Sequence, residues 1–150
     1  MKLNKVIACF LAIWMLPAHA YDPSVAPAVN GLHLNDDYNQ IVSTLGSGEI
    51  LPMEPGVFSL IYGLSGLSMI LSEQSGVSKI EQIESSSTAH SILGVSVGNS
   101  KEDIERLVGT LTVSGMDATN TASLYGKGWI VHFIFDDQNI LQRFALVKLK

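Results

Sequence analysis

The sequence has little cysteine, little charge and few aromatic residues. Its one cysteine is Cys9, so no disulfide can form within the chain. This excludes the small secreted scaffolds that are braced by several disulfides, and it means that the fold must rest on an apolar core. Without its first 20 residues the chain retains about 130, enough for one compact domain with such a core.

Basic residues are also scarce, with 9 lysines and arginines against 14 acidic residues. Loss of the N-terminal segment would remove Lys2 and Lys5 and leave 7 basic residues, a net charge of −7. So acidic a chain lacks the basic clusters that bind nucleic acid or an anionic membrane, and we expect neither partner. The acidity suits a basic protein partner, but it serves solubility equally well.

The N-terminus has the pattern of a signal peptide. Lys2 and Lys5 precede an apolar run at residues 6–16, and the small residues Ala18 and Ala20 stand at the third and first positions before a cleavage point. The run is too short to cross roughly 30 Å of hydrocarbon, which argues against a membrane anchor. The sequence therefore predicts a signal peptide at residues 1–20, a mature chain at 21–150 and export to the periplasm, without stable membrane insertion.

The segment before Cys9 offers an alternative, because residues 6–9 look like a lipoprotein cleavage box. Almost no apolar run precedes it, so cleavage after Ala20 remains the main interpretation.

Two segments of the chain match at an offset of 63 residues. Residues 31–46 and 94–109 both begin and end with glycine, and Ile41 falls on Ile104. The same offset places Tyr62 on Tyr125 without a gap. The sequence thus predicts one mature domain made of repeat 1 at about residues 31–84 and repeat 2 at about residues 94–149.

Each predicted repeat has a short helix followed by strands. Polar residues at 35–37 and 99–100 can cap a helix of about nine residues, and Gly46 and Gly109 stand where each helix would end. The predicted strands span residues 57–62, 67–72, 77–84, 122–125, 129–135 and 140–149. The expected fold is α+β: two tandem units of a helix and an antiparallel meander, forming one sheet with the helices on one side.

This order of a glycine, a capped helix and a tyrosine-bearing strand with a hairpin resembles the β-lactamase-inhibitor-protein-like fold. The segment at residues 94–109, together with 129–135, also resembles the unit of the small outer-membrane lipoproteins (SmpA/OmlA type). The resemblance covers residues 31–149 and implies a tandem structure. No contact residue of the inhibitor aligns by a motif, and its disulfides are absent here.

The sequence contains no pattern typical of catalysis. His33, His90 and His132 are far apart and follow no metal-ligand spacing, and no serine lies in a nucleophile-elbow pattern. We therefore expect a protein that is not an enzyme and needs neither a cofactor nor a metal.

A binding surface is the remaining possibility. In the strand at residues 129–135 both faces are largely apolar, and we expect the face of Ile130, His132 and Ile134 to lie uncovered. Leu67, Met69 and Leu71 would be the equivalent face of repeat 1. Alternatively, the strand is central and shielded.

The predicted contact residues lie around this surface. Tyr62 and Tyr125 are the main candidate anchors and His132 is a weaker one, although core packing would explain the tyrosines equally well. Loops at residues 51–55 and 116–120 would emerge at one edge of the sheet, and they carry Met53 and Met116.

These features lead to two hypotheses of function. The first is a periplasmic protein that binds and neutralises another protein, either as an inhibitor of a hydrolase or as an immunity protein against a toxin. The second is an accessory in envelope assembly or structure, like the small outer-membrane lipoproteins.

The first prediction concerns processing. Mass spectrometry of the exported protein should find a chain that begins at Tyr21, because signal peptidase cleaves after two small residues spaced as Ala18 and Ala20 are. A product that begins at a lipid-modified Cys9 would contradict this and would place the protein on a membrane.

Overall fold

The computed structural model describes residues 21–113 and 120–150. The predicted signal peptide, with its cleavage after Ala20, and the candidate contact residue Met116 lie outside the described residues.

The described chain forms two short helices, a 3₁₀ turn and ten strands. The helices are α1 (Tyr38–Leu45) and α2 (Lys101–Val108), and the 3₁₀ turn is Gly63–Ser65. The strands are β1 (Glu49–Glu54), β2 (Val57–Tyr62), β3 (Leu67–Gln74), β4 (Val77–Ser85), β5 (Ser91–Ile92), β6 (Val95–Ser96), β7 (Thr112–Val113), β8 (Thr121–Gly126), β9 (Trp129–Phe135) and β10 (Leu141–Lys148).

Side-chain caps set the start of both helices. The carboxylate of Asp37 accepts from the backbone N–H of Gln40 at 2.9 Å, and the Gln40 side chain accepts from the backbone N–H of Asp37 at 2.8 Å. The Ser100 hydroxyl accepts from the backbone N–H of Asp103 at 3.2 Å. These bonds satisfy amides of the first turn that have no partner within the helix.

Eight strands form one antiparallel sheet in the order β1-β2-β3-β4-β10-β9-β8-β7. The strands on each side of its centre are consecutive hairpin neighbours, and β4 pairs with β10 in the middle. The central register places Ser85 opposite Phe144 and Gln82 opposite Val147. The strands β5 and β6 form a separate small hairpin.

One face of this sheet is covered and carries the core. Both helices contribute to it, with Ile41 and Ile104 fully buried in the same cluster as the strand residues. The buried strand residues of this face are Leu60, Leu67, Met69, Leu71, Ile80, Ile83, Ala122, Leu124, Trp129, Val131, Phe133, Phe135, Leu141, Phe144 and Leu146.

The α+β fold predicted from the sequence is wrong. The protein is mostly β, with one large antiparallel sheet and two helices of eight residues each, rather than two helix-plus-meander repeats. Helices of two turns are marginal by themselves and depend on the sheet against which they pack. The edge strands β1 and β7 were not predicted from the sequence.

The ungapped offset of 63 residues fails within the strands. It requires Tyr62 and Tyr125 to share an environment, but Tyr62 packs against the core whereas Tyr125 lies on the opposite face and is 52% exposed. Likewise, Leu67, Met69 and Leu71 are buried in the core and do not form an uncovered face. Because side chains alternate along a strand, an error of one residue in register moves every side chain to the other face.

The predicted loop at residues 51–55 is largely an edge strand. Glu49–Glu54 forms β1, and all six of its residues are exposed. Met53 lies at a register irregularity between Pro52 and Glu54. Proline and bulges are common on edge strands, because they interrupt the row of backbone groups that could pair with another chain.

In the described part of the chain, neither helix has the length and the apolar character needed to cross a bilayer.

The second prediction tests the packing of α2. Ile104→Asp should lower the free energy of unfolding by roughly 3 kcal/mol or more, because it places an unpaired charge in a fully buried position. Urea denaturation of the two proteins measures the difference.

The matched control is Leu107→Asp in the same helix, since Leu107 is 45% exposed. Leu107→Asp should lower the free energy of unfolding far less than Ile104→Asp does. Equal destabilisation by the two substitutions would contradict the assignment of Ile104 to the core.

Candidate functional site

The second face of the sheet, here named the open face, consists of the strand side chains that point away from the core. Many of them are half-buried, including Ile61, Ile70 and Ile134. At its centre Ile130 and Ala145 are 5% and 6% exposed, yet neither belongs to the core cluster of the covered face. The open face therefore has a small apolar centre of its own, shielded by neighbouring side chains.

A shallow depression of about 280 Å³ lies on the open face over β8, β9, β10 and the end of β4. Strand register creates it: Ser123 pairs with His132, His132 with Ala145, and Ala145 with Glu84. The side chains that give it chemical character are those of Glu84, Ser123, Tyr125, His132, Ile134 and Arg143.

Tyr125 is the large exposed aromatic residue of this depression, and its strand is held from the core side. The Tyr21 hydroxyl donates to the Tyr125 carbonyl at 3.2 Å. The Tyr21 ring packs edge-on against Trp129, with centroids 5.9 Å apart. A Cβ at Gly126 would come within 2.0 Å of the Trp129 indole, so only glycine fits there. These contacts fix the backbone that presents the Tyr125 ring.

His132 is held by its cross-strand neighbour. Its Nδ1 lies 2.9 Å from the hydroxyl oxygen of Ser123, a buried residue. Burial lowers the pKa of His132 below its usual 6.5, because the charged imidazolium is poorly solvated there. The imidazole is thus kept neutral over more of the pH range than an exposed histidine.

An ion pair borders the depression. Arg143 donates to a carboxylate oxygen of Glu84 at 3.3 Å, and the two side chains are 51% and 30% exposed. A pair so exposed contributes little to stability. Its charges remain accessible from solvent, so they can make contacts with a partner.

Ser123 and His132 are the hydrogen-bonded pair of the depression. Among residues 21–113 and 120–150, no carboxylate hydrogen-bonds to His132, so the Ser123–His132 pair lacks the third member of a catalytic triad. Nor do these residues contain a group of three metal-ligating side chains.

The structure separates the contact residues predicted from the sequence. Tyr125 and His132 lie together at the depression. Tyr62 lies on the covered face, where its hydroxyl donates to the Gly46 carbonyl at 2.7 Å and burial raises its pKa. Met53 is exposed on β1, the far edge of the sheet, and Met116 is outside the described residues.

Glu84, Arg143 and Ser123 were not among the contact residues predicted from the sequence. They come from three strands, and only the cross-strand register brings them together. The pattern of residues along each strand could have placed them on the polar face, but it does not give the register.

The third prediction concerns His132. Because the unfolded chain has the ordinary pKa and the folded chain a lower one, the unfolded state binds more protons as the pH falls through 6.5. The contribution of the neutral imidazole to stability is therefore fully present above 6.5 and is lost as the pH falls through the folded pKa. Below pH 6.5 the free energy of unfolding should therefore fall less steeply with falling pH in His132→Gln than in the original protein. Urea denaturation over that pH range measures the difference.

An NMR titration of the imidazole provides the direct reading, with the urea-unfolded protein as the reference. A folded-state pKa at or above 6.5 for His132 would contradict the burial argument.

Comparison with known proteins gives a likeness of fold. No family model matches the chain, and no curated protein matches it in sequence. An extracellular protein containing an SCP domain from Bacillus anthracis superposes with a TM-score of 0.61 and 10% identity, covering 77% of this chain and 44% of that one. A cysteine-rich secretory protein (SAV1118) from Staphylococcus aureus superposes with a TM-score of 0.59 and 12% identity. The match covers 83% of this chain and 46% of that one.

This chain spans less than half the length of either of these proteins. At such identities the likeness concerns the fold alone. The descriptions of the two proteins as extracellular and secretory are consistent with the export predicted from the N-terminus. Neither is a β-lactamase-inhibitor-protein-like structure or a small outer-membrane lipoprotein. The resemblance to these two families stays a prediction.

Proposed function

We propose that this is a periplasmic protein that binds another protein through its open face and thereby neutralises it, as an inhibitor or an immunity protein. The observation that carries the proposal is the open face itself, where an exposed aromatic ring stands on a sheet whose half-buried side chains include isoleucines. A contiguous surface of this kind is typical of sites that bind proteins.

The shape of the open face favours a protein over a small molecule. Two depressions, of about 280 and 260 Å³, lie on this one continuous surface. Small-molecule pockets usually enclose roughly 300–1,000 Å³ and bury most of the ligand. A protein partner can instead lie across both depressions at once.

Tyr125 is the proposed anchor of the interface. Its ring is 52% exposed, and the contacts of Tyr21 with its strand keep the backbone in place. A large aromatic side chain buries much apolar area at a small cost in conformational entropy, so such residues commonly dominate binding energy.

Polar groups around the anchor would determine which partner fits. His132 offers a neutral imidazole, and Arg143 and Glu84 offer one charge of each sign. The net charge of −7 in the mature chain would also steer a partner with a basic surface toward it.

The alternative is an accessory role in envelope assembly, as the resemblance to small outer-membrane lipoproteins suggests. A lipid on Cys9 would favour this alternative, since it would hold the protein at a membrane. A toxin encoded beside this protein would favour the immunity role.

The fourth prediction tests the anchor. The mature protein should capture a partner from envelope extract or bind the product of a neighbouring gene. With that partner purified, Tyr125→Ala should weaken binding by about tenfold or more in calorimetry, as for an interface hot spot.

The matched control is Val77→Ala, which truncates an exposed apolar side chain at the other end of β4. It should bind like the original protein. If Tyr125→Ala folds normally and binds unchanged, Tyr125 is not an anchor. Turnover of a small molecule, with no protein bound, would overturn the proposed function.

A further inference from the structure

A separate cavity of about 410 Å³ lies at the end of the sheet where β2 turns into β3. The end of α1 and the segment that contains His90 border it, and none of its lining residues belongs to the Tyr125 depression. Its apolar lining includes Leu45, Leu64 and Leu67. The volume is in the range of pockets that hold small organic ligands.

His90 lines this cavity and is only 6% exposed. Its Nδ1 lies 2.8 Å from the hydroxyl oxygen of Ser85, which is itself fully buried. The same oxygen accepts from the backbone N–H of Ser87 at 3.2 Å. The hydroxyl hydrogen of Ser85 has no other acceptor among the described residues, so it is donated to Nδ1, and Nε2 of His90 carries the ring hydrogen.

That Nε2–H group has no hydrogen-bond partner in the described chain, although the residue is nearly buried. In the same part of the chain, Nε1 of Trp129 is the one side-chain nitrogen or oxygen that is both unpaired and completely enclosed. Nε2 of His90 is therefore not completely enclosed, and the cavity that it lines gives access to it. An unpaired donor in a mostly apolar cavity favours a ligand with an acceptor atom, which would compensate its lost hydration.

Asn30, Ser47 and Ser65 also line the cavity, and two further polar residues restrict the ligand. The Tyr62 hydroxyl already donates to the Gly46 carbonyl, so it can only accept from a ligand. Glu49 is exposed and has no ion pair among the described residues. Its carboxylate at the cavity disfavours an anionic ligand.

We propose that this cavity binds an uncharged, mainly apolar small molecule with a carbonyl oxygen at one end. The carbonyl oxygen accepts a hydrogen bond from Nε2–H of His90, and the apolar body lies against the leucines of the lining. An amide or ester meets these requirements, and a carboxylate does not.

Three probes of similar size test this with the mature protein. Benzamide has the carbonyl oxygen, toluene lacks an acceptor, and benzoate adds a negative charge. NMR titration should show benzamide shifting the signals of Gly48, Gly63 and His90. It should bind about fivefold more tightly than toluene, the usual worth of one hydrogen bond. Benzoate should bind more weakly than benzamide.

Substitution of the exposed carboxylate tests the charge argument. Glu49→Gln should narrow the difference in affinity between benzoate and benzamide. Glu73→Gln changes an exposed acidic residue that does not line the cavity, so it should leave this difference unchanged. No change in either variant would overturn the assignment of an uncharged ligand, because Glu49 would then not disfavour anions at this cavity.

The tautomer of His90 can be observed directly by ¹⁵N NMR of the imidazole, and Nε2 should carry the hydrogen. In His90→Phe, if it folds, the preference for benzamide over toluene should vanish. Hydrogen on Nδ1 alone, toluene binding as tightly as benzamide, or no shift at the cavity with benzamide would each overturn the proposal. None of these results bears on the open face, so the proposed protein-binding function is tested separately.

Discussion

The pairing of β4 with β10 is the interaction on which the rest of the structure depends. It joins two groups of four strands into one sheet, with Ile83 opposite Leu146 on the covered face. Without it, each group would expose a backbone edge at the centre of the molecule. The mature chain has no cysteine if cleavage follows Ala20, so no covalent link could replace this pairing.

The same pairing arranges the side chains of the open face. Ala145 stands opposite Glu84, and the neighbouring Arg143 reaches that carboxylate. A second ion pair joins Lys148 to Glu81 at 3.2 Å, again between β10 and β4. The charged residues of the open face are thus placed by the central strands, while Tyr125 is placed by β8 and by the contacts of Tyr21 with Trp129 and with the Tyr125 carbonyl.

Two serine–histidine hydrogen bonds illustrate how position decides the role of the same pair of side chains. On the open face, Ser123 holds His132 beside a shallow surface, where burial lowers the pKa of the imidazole. On the core side, Ser85 fixes the ring of His90 at a larger, separate cavity. In the two proposals, the first histidine would contact a protein partner and the second a small ligand.

The sequence by itself determined the local elements, because these depend on neighbours in the chain. The cap at Asp37, the cap at Ser100 and the bounds of β2 and β9 follow from side-chain type and alternation. Two of the candidate contact residues, Tyr125 and His132, line one depression of the sheet. The tertiary structure decided the fold class, the edge strand at Met53 and the opposite faces of Tyr62 and Tyr125. Each of these depends on strand register and strand order, and pairing between distant segments sets both. A shift of one residue reverses which side chains face the core, and alternation alone cannot detect it when both faces of a strand are apolar.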